Sequence, residues 1–541
     1  MKKITNIIAP LLKQYRYRNK PDPFSLFNDL KTYNTSSDID KGNVLILPLR
    51  VNPTSNTFEG VMGNALKLRG YKVHALMCGQ SITACDNINQ RQNFSLACSL
   101  CHYEQKRFAN SFDINASSYE DEVAQSRQNQ LQKIARETPL TDIFSYVHEK
   151  VSIGKYVEGG VARFLLSSNI NLNENETLIR DYFFTSLITV EATRNILKKT
   201  QPEFVLASHG IYSTWGAAME TCKVDGFHII IWGRGYVGQG NIVASHNASY
   251  LFDTIHETSE FWENNVVSTQ TKTALDNYFY NKQNPKAGTD HVNYYADIKE
   301  ENTEIFSTLK LDKNRHRIGI YPNIPWDGKM FSATDEFPDM NVFVQAVLEW
   351  ANKNQDVDLI IRAHPAEAFR KGNESIERFI DVVYMECESL PSNIIYIEPT
   401  ASVNSYQLSK ICDAALMYAS TMALEFSYTG HPVIQVGLNN VSNKGIVFDA
   451  PTKALMFTYL DKAVQNKLTM PPEMQTRVVQ YADYWINKRH IPEKLMKLSH
   501  LTFQEYTFKS NAELLAGHFD TLDWFIDRCI DSQPFIWESD A

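Results

Sequence analysis

Hydrophobic and polar positions alternate along this chain in blocks of two kinds. Short continuous apolar runs bounded by glycine, proline or polar breaks read as buried strands, and stretches with apolar residues three or four apart read as helices. From residue 43, NVLILPL predicts a strand, FEGVMGNALKLRG a helix closed at Gly70, and KVHALMC the next strand. The same order returns over 203–235 as EFVLASHG, IYSTWGAAMETCKVDG and FHIIIWGRG. Strands joined through single helices pair in parallel with right-handed crossovers. A second series, RIGIYPN, NVFVQAVLEWANKN, VDLIIRAH, NIIYIEP, SVNSYQLSKIC, AALMYAS, TMALEFSYTG and HPVIQVG, gives four or five strands in doubly wound order. The prediction is an α/β chain of two Rossmann-like, doubly wound domains, 1–270 and 306–480, facing each other across a cleft. Residues 79 to about 150 read as a helical insertion, 271–305 as a linker, and 481–541 as a helical carboxyl-terminal segment.

Such strands matter because ligands of open α/β sheets bind outside their carboxyl ends, at the point where strand order reverses. In DLIIRAHPAE the apolar run breaks at that edge, so His364 and Pro365 stand where a ligand would lie. In AALMYASTMALEFSYTG, Ser420 and Thr421 sit between a strand and a helix. Either can cap the helix, whose free N–H groups suit an anion. Glu425, one turn further on, is placed to accept a hydrogen bond from a ribose or sugar hydroxyl. In the first domain Glu59, in the helix after the first strand, and His209, ending a later strand, reach the equivalent edge. Either has the chemistry of a general base. Arg234, in WGRGYVGQG, and Trp326 with Asp327, in NIPWDG, are further candidates for the cleft. No P-loop or H-E-x-x-H is present, and the D-x-D matches at 38–40 and 356–358 precede strands, at the edge away from any cleft.

These motifs carry a resemblance. IYPNIPWDG, LIIRAHPAE, SYQLS, YASTMALEFSYTGHPVIQVG and NKGIVFD together resemble the capsule polysaccharide biosynthesis glycosyltransferases, which include the Kdo transferases of capsule assembly. The His-Pro and Ser-Thr elements are also similar to those of bacterial polysialyltransferases. The resemblance spans roughly 43–78 and 203–450. It implies a GT-B fold, with the nucleotide-sugar donor held mainly by the carboxyl-terminal domain. It further implies that His364 and Ser420 or Thr421 bind the donor phosphate, that Glu425 helps hold the donor, and that no catalytic metal is needed. CMP-linked donors are those the nearest His-Pro families use, with UDP- and GDP-sugars as alternatives, and the acceptor would be a glycan or lipid-linked glycan. Two other readings stay open, a nucleotide-sugar 2-epimerase of the same architecture and a non-catalytic scaffold of capsule assembly.

Charge and cysteine content refine this picture. A net charge of −9 over 541 residues argues against a nucleic-acid partner. No run approaches the ~20 apolar residues of a transmembrane helix, so a cytoplasmic location is expected. The first twenty residues depart from this balance: Ile4, Ile7, Ile8, Leu11 and Leu12 fall at roughly helical spacing among Lys2, Lys3, Lys13, Arg16, Arg18 and Lys20. Such a basic amphipathic helix either lies on an anionic inner-membrane surface or packs on the protein's own core. Of eight cysteines, Cys78, Cys85, Cys98 and Cys101 fall within 24 residues. In a reducing compartment this clustering makes them candidate ligands of a structural zinc, although only the last pair has the C-x-x-C spacing.

Overall fold

The computed structural model describes residues 2–538 apart from 33–39, 50–52, 239, 250–253, 285–301, 329–331, 370–371 and 500–501. In chain order the strands are β1 (Asn43–Leu47), β2 (Lys72–Met77), β3 (Asn115–Ser118), the short pair β4 (Val147–His148) and β5 (Val151–Ser152), β6 (Phe204–Ser208), β7 (Ile229–Arg234) and β8 (Asn241–His246). There follow β9 (His316–Tyr321), β10 (Val357–Arg362), β11 (Ile394–Ile397), β12 (Ala414–Tyr418), β13 (Val433–Val436) and β14 (Phe448–Asp449). The last are β15 (Ile491–Pro492), β16 (Met496–Ser499) and β17 (Thr502–Tyr506). The chain divides into two compact units. The first gathers Met1–Leu165, Ile170–Tyr250 and Arg489–Ala541, and the second Leu166–Asn169 and Leu251–Lys488. The first unit thus ends before 270, and the segment from Arg489 onward belongs to it rather than standing apart.

The first unit carries a seven-stranded sheet in the order β15-β8-β7-β6-β1-β2-β3. β1 pairs in parallel with both β2 and β6, so strand order reverses between β1 and β6. The second unit carries six strands in the order β11-β10-β9-β12-β13-β14, all parallel, with the reversal between β9 and β12. In both units this is Rossmann order. Every residue of β6, β10 and β12 is buried, as expected of central strands covered by helices on both faces. The α/β class with two Rossmann-like units is therefore present, and it is the make-up that a GT-B chain requires.

Three expectations are corrected. The segment 79–150 is helical, yet its helix Phe94–Phe112 is the crossover that leads into β3, a strand of the main sheet. The sequence of β3, NASS, is polar because it lies on the sheet's edge, and no apolar run announces it. β7 and β8 form an antiparallel hairpin, where a loop carrying Arg234 was expected in a wholly parallel sheet. The segment after 481 is only partly helical: β15 adds to the edge of β8, and β16 pairs with β17 before the helix Asp520–Asp531. The linker expected over 271–305 falls largely outside the described residues, and its first part belongs to the helix Thr269–Gln283.

Candidate functional site

The second unit's reversal between β9 and β12 places four loops on one edge. β9 runs into Pro322 and Asn323, β10 into Ala363, His364 and Pro365, β12 into Ala419, Ser420 and Thr421, and β13 into Gly437 and Asn439. Two asparagines tie these loops together. Asn323 Nδ2 donates to the Ala419 carbonyl at 3.2 Å, and Asn439 Nδ2 donates to the Ser420 carbonyl at 2.7 Å. Between them Ala419 is held at φ +50°, a left-handed conformation that costs a side-chain-bearing residue energy and persists only where neighbours impose it. Neither asparagine was singled out in the sequence, although they lie two and three residues past the ends of β9 and β13.

His364, Ser420, Thr421 and Glu425 all stand on this edge or one turn into the helix that leaves it. The Ala366 N–H donates to His364 Nδ1 at 3.1 Å, so in the neutral ring the proton sits on Nε2, the nitrogen able to donate to an anion. Pro365 is buried beneath it. The buried Ser420 accepts from the Met422 N–H at 3.3 Å, the capping role expected of it, whereas Thr421 is exposed and makes no capping bond. Glu425 is already partnered: Lys282 Nζ lies 3.2 Å from Oε1, and the Tyr406 hydroxyl donates to Oε2. Burial alone would lower the pKa of Lys282, but Glu425 and Tyr278 hold it above its ordinary value. Lys282 lies 143 positions before Glu425 in a helix with no motif of its own, so nothing local in the sequence announces the pair.

Arg362, the residue that gives RAHPAE its basic start, does not face a ligand. It is buried, and its guanidinium donates to the carbonyls of Glu398 at 2.7 Å, Val403 at 3.2 Å and Ala401 at 3.3 Å, fixing the loop after β11. Trp326 is likewise buried and donates to Ser375 Oγ at 2.9 Å, with Asp327 half-buried beside it. Glu367, at the end of the same motif, is pushed up to about 8 by burial.

In the first unit, Glu59 and His209 flank the reversal between β1 and β6. Glu59 is fully buried in the helix Pro53–Leu68, accepting from Asn56 Nδ2 at 2.9 Å and Trp232 Nε1 at 3.3 Å, with Ser208 as a third partner. Burial outweighs these bonds and pushes its carboxyl up to about 8, so near pH 7 Glu59 is a neutral acid rather than a base. His209 is half-buried at φ +65° and stacks on Trp215, with ring centroids 4.8 Å apart. The helical turns that follow, Tyr212–Gly216 and Ala217–Val224, begin at this edge, and an internal carboxylate meets their amino end. The buried Asp86 accepts from the N–H groups of Ser213 at 3.3 Å and Thr214 at 2.9 Å and from the Thr214 hydroxyl at 2.8 Å. The place an anionic ligand would take there is filled by the chain itself. Arg234 pairs with Glu493 at 3.0 Å and so is committed to holding β15.

Among the described residues, no three of the clustered cysteines bring their sulfurs within 4.8 Å of one another. Among the described residues, the group of His, Cys, Asp or Glu whose ligand atoms gather within 4.8 Å is His148, Glu149 and Glu191. There Arg127 donates to Glu149 at 2.6 Å and Glu191 at 2.5 Å, so a guanidinium already balances the carboxylates. Cys78 and Cys98 are buried, Gln105 Nε2 lies 3.7 Å from Cys78 Sγ, and burial raises the Cys85 thiol well above its usual pKa.

No protein-family model matches the chain, and no curated protein matches it. Among solved structures it is similar to a β-Kdo 2,4-transferase, KpsC, of Thermosulfurimonas dismutans, at 12% identity and a TM-score of 0.35 over 52% of this chain and 79% of that one. It is also similar to the UDP-GlcNAc 2-epimerase of Neisseria meningitidis, at 12% identity and a TM-score of 0.28 over 81% of this chain and 98% of that one. A third is the spinosyn rhamnosyltransferase SpnG, at 10% identity and a TM-score of 0.23 over 82% and 95%. Overlaps this loose leave the fold to rest on strand order and register.

Proposed function

We propose that this protein is a glycosyltransferase that moves a sugar from a nucleotide donor to a glycan acceptor and holds the donor on its second unit. The observation that supports this reading is the convergence of His364, Ser420, Thr421 and Glu425 on the carboxyl edge of β10 and β12, at and beside the reversal of strand order. The donor's phosphate lies against Ser420, Thr421 and the first N–H groups of the helix Met422–Tyr428, and His364 Nε2–H donates to it. As the bond to the sugar breaks, the negative charge left on the phosphate is stabilised by these donors, which are in place beforehand. Glu425, oriented by Lys282 and Tyr406, has lone pairs remaining for a ribose hydroxyl. For the acceptor proton the first unit offers His209 as the base, since Glu59 is mostly protonated near pH 7. The motif resemblance favours a CMP-linked donor and a surface or capsular glycan as acceptor.

The test is calorimetric titration with CMP, UDP and GDP of the unaltered protein, His364→Ala and Ser420→Ala. One nucleotide binds, and each substitution weakens it by roughly tenfold to a hundredfold, as expected for loss of one hydrogen bond to a charged group. Unchanged affinity in both folded variants rejects the phosphate site. If the intact donor is converted to an epimerised or free sugar with no glycan present, the epimerase reading replaces this one.

A further inference from the structure

The helix Lys2–Tyr17 has an apolar stripe that the described residues of its own unit leave exposed. It packs through Ala9, which is fully buried, and through Lys13, which is 6% exposed and lies 3.0 Å from the Glu104 carboxylate in the helix Phe94–Phe112. Tyr17, at the end of this helix, carries Lys13 and Arg107 over its ring. Ile8, Leu11, Leu12 and Tyr15 are 39%, 64%, 39% and 76% exposed. Their spacing, i, i+3, i+4 and i+7, sets them in one line along the helix. At roughly 100° per residue that line lies well away from Ala9 and Lys13. Exposed aliphatic and aromatic side chains are ordinary when scattered, but a contiguous line of four marks a surface built to be covered.

The charges beside the stripe indicate what covers it. Residues 1–20 contain six Lys or Arg and no Asp or Glu, in a chain whose net charge is −9. Lys13 is spent on Glu104, while Arg18 and Lys20 are exposed just beyond the helix. A protein partner would require only a matching apolar groove, which does not explain why positive charge is concentrated here. An anionic bilayer surface accounts for both features: aliphatic side chains and Tyr15 enter the boundary between headgroups and acyl chains, and basic side chains sit among lipid phosphates. No helix of the described residues is long and apolar enough to cross a membrane, so such contact would lie in the interface. We propose that the face formed by Ile8, Leu11, Leu12 and Tyr15, flanked by Arg18 and Lys20, docks the protein on an anionic phospholipid membrane.

The test is flotation of the full chain with vesicles of pure phosphatidylcholine and of phosphatidylcholine with about a third phosphatidylglycerol, at low and high salt. The protein floats with the anionic vesicles, and salt weakens the binding because the headgroup attraction is screened. Leu11→Glu with Leu12→Glu abolishes flotation. Arg18→Glu and Lys20→Glu each weaken it at least about fivefold, the loss expected for one basic residue near such a surface. All four positions are exposed, so the variants keep the unaltered protein's circular dichroism and melting temperature. Equal binding to both vesicle types, absence of binding, or flotation indifferent to the Leu11/Leu12 variant overturns the proposal. So does light scattering that shows a dimer which the same variant dissociates, since a second copy is then the occupant.

Discussion

At the scale of single residues, burial decides which acids and bases are available. Glu59 is the clearest case: its carboxyl is held near 8 when folded but titrates near 4.5 when the chain unfolds. Between those values the folded state binds the proton that the unfolded state has released, so the Glu59 contribution to stability falls as pH rises from about 4.5 towards 8. Glu59→Gln, an isosteric neutral group, removes that dependence. Melting followed from pH 5 to 9 is expected to show the variant gaining on the unaltered protein as pH increases, by an amount on the order of a few kcal/mol at the alkaline end. Parallel curves reject a neutral Glu59. Glu367, near 8, and Asp449, near 6, have the same sign and keep part of the slope in both proteins, which is why the difference is the quantity to measure. The edge position of Glu59 and His209 was legible because each follows an apolar run. The protonation of Glu59 was not, since it comes from complete burial in the folded chain, which outweighs the hydrogen bond from Trp232, 173 positions away.

At the scale of elements, both reversal points use the amino end of a helix at the carboxyl edge, but to opposite ends. In the second unit the turn at Ser420 and Thr421 uses its own side chain as a cap, as the Ser-Thr signature predicts. In the first unit the turn at Tyr212 is closed from outside by Asp86, and no spacing rule connects residue 86 to residues 213 and 214. Asp86→Ala leaves two buried N–H groups and a hydroxyl without their acceptor, a loss of about 3 kcal/mol by urea unfolding. Formate, which restores a carboxylate to the vacated space, is expected to recover part of that loss in the variant and to leave the unaltered protein unchanged. A variant as stable as the unaltered protein would show that Asp86 is not the cap. Position in the sheet explains why β3 and the β16–β17 ribbon escaped the sequence pattern. Their residues lie at sheet edges or in short ribbons, where alternation is weak, whereas the doubly buried β6, β10 and β12 announce themselves as continuous apolar runs.

At the scale of the whole molecule, the two units differ in how the chain builds them, and this sets how each can stand alone. The large apolar cluster of the second unit draws its buried side chains from between Ile318 and Leu468, and its six strands lie between His316 and Asp449. A fragment of residues 251–488 therefore contains a complete sheet and core, lacking only Leu166–Asn169. The first unit is split. Of the 33 buried side chains grouped in its core, eleven, from Ile491 to Phe535, come from the segment after Arg489, and β15 completes its sheet from the same segment. Removing about a third of a core costs far more than the 5–15 kcal/mol by which domains are stable. Residues 1–250 alone are thus expected to be unfolded or aggregated, while 251–488 alone melts cooperatively. Adding residues 489–541 in trans restores cooperative melting to the first fragment. The measurement is thermal unfolding by circular dichroism of the two fragments, with and without that third piece. Cooperative melting of 1–250 by itself would mean that the carboxyl-terminal segment decorates the first unit rather than completing it.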